Sequence, residues 1–99
     1  MTTDKTGAET TVAAEADRFT IAVDGQIVGL AEYSDRDGRR TFPHTEVDRA
    51  FQGRGLATIL VAEALQATRE AGLRIVPACS MVADYIDHHP EYEDITDTV

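Results

Sequence analysis

The chain has no tryptophan, one cysteine, three prolines and only nine basic residues against eighteen acidic ones in 99 residues. Each shortage excludes something. A lone cysteine, Cys79, rules out an internal disulfide and fits a reducing compartment, so the expected location is cytoplasmic. A formal charge of −9 argues against a surface for nucleic acid or an anionic membrane, because both need basic density. No apolar run is long enough to span a bilayer. The first residues lack the basic start and apolar stretch of a secretory signal. With 42% hydrophobic and 27% charged residues, the composition is that of a globular protein with one modest core. A monomer or a weak homodimer is the expected state.

Residues 1–17, MTTDKTGAETTVAAEAD, carry almost no large apolar group and read as a mobile tail, since they bury too little surface to offset ordering entropy. The folded domain is expected over residues 18–99. In RFTIAV, Phe19, Ile21 and Val23 alternate with Arg18, Thr20 and Ala22, the period of a half-buried strand. Asp24-Gly25 suits a tight hairpin turn, QIVGLAEY is the returning strand, SDRDG a second polar turn and RRTFPHTEV a third strand. Pro43 lacks an N–H, which predicts an edge, a bulge or a splay at that point.

From Leu56 the period lengthens. Leu56, Leu60, Ala64, Ala67 and Ala71, widened by Ala57, Val61 and Leu65, form one face of a helix, and Gly72 suits its left-handed stop. LRIVP is a short buried strand. In CSMVADYIDHHP, Met81, Val82, Tyr85 and Ile86 share a helical face, through which Tyr85 is expected to pack in the core, with Pro90 at the helix end; EYEDI is a final turn or short strand. A helix between the third and fourth strands implies a parallel crossover. The predicted fold class is therefore α+β (mixed α/β), a three-stranded antiparallel meander followed by α-β-α.

Gln52-Gly53-Arg54-Gly55 opens the first helix without Ser, Thr, Asp or Asn as a cap. The glycines let the backbone curl, and the amides of Gly53 to Ala57 stand at the positive end of a helix without internal partners. That arrangement suits a phosphate, with Arg54 adding a charge-assisted contact. The spacing is neither GxxxxGK[ST] nor GxGxxG, and the same glycines also suit a purely structural strand-to-helix turn.

The stretch from Val47 to Ala57 resembles the acetyl-CoA signature of the GNAT acetyltransferases. There a strand ending in Val precedes [RQ]-x-x-G-x-[GA], here Gln52-Gly53-Arg54-Gly55-Leu56-Ala57. The run from Pro77 to Tyr92 resembles a compact single-domain branch of the same superfamily, and the likeness covers residues 18 to about 95. It implies a small GNAT-like sheet with splayed central strands, acetyl-CoA as acyl donor and an amine as acceptor. It also implies that loop amides from Gln52 to Ala57 bind the CoA pyrophosphate and that the backbone at Thr45 and Val47 binds pantetheine. His89, just before Pro90, is a separate candidate for the CoA entrance. One departure stands out: larger relatives carry two helices between their first two strands, where this chain has only Asp24-Gly25, so the acceptor side is expected to be open.

Cys79 is expected in the first turn of the last helix, a position that favours thiolate. The resemblance implies a functional cysteine here, which either accepts the acetyl group or positions it; the ordinary alternative is an inert buried thiol. His44 is a candidate general base, sharing a face with Phe42 and Glu46 under strict alternation. Glu46 is a second candidate, since the resemblance implies a glutamate in this neighbourhood that deprotonates the amine through water. Surface placement is the plain reading of both. His88 and His89 adjoin a helix end, where the dipole favours imidazolium. The spacing of Cys79, His44, His88 and His89 displays no metal set, and no metal is expected. Tyr92 either caps the cofactor edge or staples the C-terminus. The acidic excess is either a solvated surface or an attraction for a cationic acceptor such as a polyamine. Three readings remain open: an N-acetyltransferase, a non-catalytic acyl-CoA-binding module, and an interaction domain whose glycines are structural only.

Overall fold

A computed structural model describes residues 2–97. One mixed sheet takes its six strands in chain order: β1 (Thr2–Thr3), β2 (Glu9–Ala14), β3 (Arg18–Val23), β4 (Gln26–Arg36), β5 (Arg39–Val47) and β6 (Arg74–Val76). The first five run antiparallel, and β6 lies parallel to β5 after the crossover helix α1 (Leu56–Glu70). A second helix, α2 (Ser80–His88), and a 3-10 segment, Pro90–Ile95, follow.

Local chemistry explains the turns. Asp24-Gly25 and Asp37-Gly38 each place two residues at positive φ, 49° and 88° in the first and 53° and 77° in the second. Two such residues in succession match the twist of a two-residue hairpin. The second turn is shorter than SDRDG suggests, because Ser34, Asp35 and Arg36 stay in β4 opposite Thr41, Arg40 and Arg39. Arg40 donates to both carboxylate oxygens of Asp35 across the strands, at 2.7 and 2.9 Å, which holds polar residues in the ladder. Gly72, at φ 74°, stops α1: its N–H bonds the Arg69 carbonyl, and that of Leu73 bonds Thr68, both at about 3 Å.

The expectation of a mobile tail over residues 1–17 is corrected. Thr10 to Ala14 pair in register with Val23 to Phe19, and Thr3 pairs with Glu9. An edge strand draws its order from the backbone ladder it joins, so it needs fewer apolar side chains than an isolated segment. Met1, and Thr98 and Val99 at the end of the expected 18–99 domain, lie outside the described residues.

Pro43 produces a bulge. Glu32 faces His44 and Ser34 faces Thr41, so Tyr33 alone opposes Phe42 and Pro43. The extra residue resets alternation. Phe42, Thr45 and Val47 turn toward the core side, with Phe42 fully buried, whereas His44 and Glu46 are exposed. The expected common face for Phe42, His44 and Glu46 is thereby corrected. Leu56, Leu60, Val61, Ala64 and Leu65 of α1 close the core over Phe19, Ile21, Val28, Ala31, Phe42 and Ile75. Tyr85, expected in that core, is only half-buried. Tyr92 staples the C-terminal segment to α1: it is buried, donates to Gln66 Oε1 at 3.1 Å, and lies under the Arg69 guanidinium.

β5 and β6 pair only from Arg39–Thr41 to Arg74–Val76. Pro77 then follows β6 and has no N–H to continue the ladder, while β5 runs on to Val47. The two strands separate there, at the end of the sheet from which α1 departs.

Candidate functional site

Beyond Val47 a 3-10 turn, Arg49–Phe51, leads into the glycine loop. Gly53 and Gly55 sit at φ 81° and 80°, left-handed conformations that side chains with a Cβ rarely adopt. Gly55 is the N-cap of α1 and supplies no side-chain cap, and the first turn holds no acidic residue. The positive dipole end of α1 thus carries neither a side-chain cap nor an acidic neighbour in its first turn. A cleft of about 280 Å³ opens here, lined by Val47, Phe51, Gln52, Gly53, Gly55, Leu56, Ala57, Thr58 and Met81. A second, of about 410 Å³, lies between α1 and α2 and shares Ala57, Thr58 and Met81 with it. Tyr85, His88 and His89 also line this second cleft.

Of the residues singled out from sequence, Val47, Gln52, Gly53, Gly55, Leu56 and Ala57 converge on the first cleft, and His89 on the second. His89 stacks on Tyr85 with ring centroids 3.8 Å apart and planes 8° from parallel, and its Nδ1 is 2.8 Å from the Tyr85 carbonyl. Burial, followed by nearby Tyr92 and Glu91, raises the Tyr85 phenol. His88 is raised chiefly by the Asp84 carbonyl, then by the charges of Asp84 and Asp87. Thr45 is buried, and its Oγ1 has no hydrogen-bond partner.

Cys79, His44, Glu46, Thr45 and Arg54 line neither cleft. Cys79 is the N-cap of α2 rather than a member of its first turn, half-buried against the core, with its carbonyl accepting from Ala83 N–H at 3.1 Å. His44 Nε2 and Glu46 Oε1 stand 3.7 Å apart on the exposed face of β5. Among the described residues no group of three or more His, Cys, Asp or Glu is arranged to hold a metal ion. No helix among them is long and apolar enough to cross a membrane.

Arg54 is held by residues that sequence reasoning passed over. Its Nε and Nη2 reach Asp4 Oδ2 at 2.7 and 2.6 Å, Nη2 donates to Thr6 Oγ1 at 3.1 Å, and the guanidinium lies over Phe51. Asp4 Oδ1 accepts from the Thr6 amide, the Thr6 hydroxyl and the Ala8 amide. Its side chain is fully buried. The turn chemistry of DKTG was the available signal, but a pairing fifty positions distant leaves no mark in sequence.

These hydrogen bonds, the Thr6 hydroxyl foremost, lower the Asp4 pKa from 3.8 to about 2. A depressed carboxyl contributes stability that is fully present above its unfolded value and lost as pH falls through its folded one. Urea midpoints measured from neutral pH down to about pH 2 are therefore expected to fall through the 3.8-to-2 window in the parent chain. Asp4→Asn is expected to be less stable near neutrality and flatter through that window; parallel pH curves for the two proteins would refute this role.

The last strand of the meander runs past its parallel neighbour into a glycine-opened helix. The family model for GCN5-related N-acetyl-transferase matches residues 18–95, and the chain belongs to that family. A GCN5-like protein from Staphylococcus aureus, solved in solution by NMR, shares the fold with a TM-score of 0.68 at 20% identity, over 90% of this chain and 89% of that one. No curated protein sequence matches.

Proposed function

We propose that the protein transfers an acetyl group from acetyl-CoA to an amine. The observation that carries this reading is the glycine loop: Gly53 and Gly55, both left-handed, open the uncapped end of α1 onto a cleft at the free end of β5. The residues present suit the donor. A diphosphate fits against amides at a helix start, and nothing within 4 Å would meet a Cβ at Gly53, so that surface is open to a ligand. Beyond Thr41, β5 has no paired strand on its β6 side among the described residues, so its backbone at Thr45 and Val47 is where pantetheine amides would run. Bound acetyl-CoA supplies the acyl group as a thioester.

Two routes for the acyl group follow. In one, the acceptor amine attacks the thioester carbonyl directly, the C–S bond breaks with CoA leaving as its thiolate, and His44 or Glu46 on the exposed face takes the amine proton. In the other, the Cys79 sulfur attacks first, releasing CoA and forming an acetyl-cysteine that the amine then cleaves. The net charge of −9 favours a cationic acceptor. The alternative of a non-catalytic acyl-CoA-binding module draws on one observation: Cys79, His44 and Glu46 line neither cleft.

Acetyl-CoA at a hundredfold excess over Kd is expected to stabilise the native state by about 2.7 kcal/mol, or roughly ten degrees in Tm for a domain of this size. No shift with CoA or acetyl-CoA removes both readings. Turnover against an amine panel separates them. For the enzyme, Cys79→Ala decides the route: loss of an acetyl adduct by intact mass, together with loss of turnover, is expected if the thiol is the intermediate acceptor. Full turnover by that variant leaves direct transfer.

A further inference from the structure

We propose that the turn from Asp4 to Ala8 is part of the donor site and that Lys5 supplies the cation for the CoA diphosphate. The inference rests on the acetyl-CoA reading above, but it concerns residues outside the span matched by the family model. Arg54 is the basic residue of the glycine loop, and its charge is already engaged. Asp4 takes two of its nitrogens through one carboxylate oxygen, Thr6 accepts from Nη2 as well, and Phe51 covers the guanidinium. Arg54 and Asp4 together are neutral, so the glycine loop itself brings no uncompensated positive charge to a diphosphate against its amides.

Lys5 stands where that charge is needed. Its backbone N–H donates to the Arg54 carbonyl at 3.0 Å. Its Cε, Cγ and Cδ lie 3.4, 3.5 and 3.8 Å from the position a Cβ on Gly55 would take. The aliphatic stem thus packs on the residue that caps α1, and the ammonium is one bond beyond. Lys5 is exposed, and no carboxylate among the described residues pairs with it. The three hydrogen bonds to Asp4 Oδ1 fix the turn, and Arg54 anchors it beside Gly55; Lys5 itself lines neither cleft, and its stem lies against Gly55, which lines the first. A flexible point charge suits phosphate oxygens, which need no planar fork.

The test compares CoA with S-acetylpantetheine, which lacks the diphosphate, as ligands for the parent chain, Lys5→Gln and Lys5→Arg. At low ionic strength Lys5→Gln is expected to weaken CoA binding about three- to tenfold, as for loss of one charge-assisted contact on an exposed side chain. Lys5→Arg should restore it, added salt should shrink the difference, and S-acetylpantetheine should bind all three proteins alike. Equal CoA binding by the parent and Lys5→Gln overturns the inference while leaving the acetyl-CoA reading intact. Equal weakening toward both ligands also overturns it, because the lysine would then act only on the fold. Failure of the parent chain to bind CoA overturns the acetyl-CoA reading itself, and this inference with it.

Discussion

Gly55→Val is expected to lose most of its affinity for acetyl-CoA while the sheet stays folded. Gly55 holds φ 80° at the N-cap of α1. An L-residue there costs about 1–2 kcal/mol, and a β-branched one is a stronger outlier. The free variant relieves that strain by leaving the left-handed region, which swings the first amides of α1 off the cleft. Binding then has to restore the strained conformation, so affinity falls by about five- to thirtyfold from this source alone, at tenfold per 1.4 kcal/mol. The γ methyls add a steric conflict, since the Cβ position is already 3.4 Å from Lys5 Cε. Gly53→Ala is the comparison: it shares the conformational strain at φ 81° but meets no neighbour within 4 Å. Calorimetric titration of the two variants should therefore rank Gly55→Val below Gly53→Ala. Unchanged affinity in Gly55→Val would show that the loop amides do not hold the donor.

Phe42→Ala is expected to have the largest effect on stability. Phe42 is fully buried beside the Pro43 bulge, with Phe19 and Tyr33 ring centroids at 6.5 and 6.4 Å. Arg40, itself paired with Asp35, lies over the Tyr33 ring at 4.4 Å and closes the cluster from outside. Removing a buried phenylalanine costs about 3–5 kcal/mol, and a domain of this size holds only about 5–15 in total. A fall in Tm of more than about 10 °C follows, at roughly 4–8 °C per kcal/mol. Chemical denaturation checks the same loss. Phe42→Leu should keep much of the parent's stability, because most of the volume stays filled. A Phe42→Ala protein as stable as its parent would show that this ring contributes little to the core.

Much of the fold was legible because it rests on short-range rules. Alternation marked β3, the change of period at Leu56 marked α1, and Asp-Gly with Gly72 marked where elements turn or stop. The glycine loop was readable for the same reason, since a left-handed N-cap admits few residues. His44 shows the limit. Its candidacy assumed strict alternation through Pro43, and Pro43 itself signalled a bulge, but the side on which the extra residue falls depends on which strand carries it. Tyr85 shows a second limit: a helical face is set by spacing, while its depth is set by what packs over it, and here that is a cleft shared with His89.

By itself the sequence determined the element order from β3 onward, the crossover and the glycine turn that opens α1, all of which follow from residue chemistry within a few positions. Only the tertiary structure decided that β1 and β2 join the sheet, that Asp4 neutralises Arg54, and that Lys5 lies across Gly55. The physical reason is separation along the chain. An edge strand is ordered by hydrogen bonds to a neighbour's backbone, and an ion pair by the meeting of two surfaces. Neither leaves a periodic or compositional trace in the segment that depends on it.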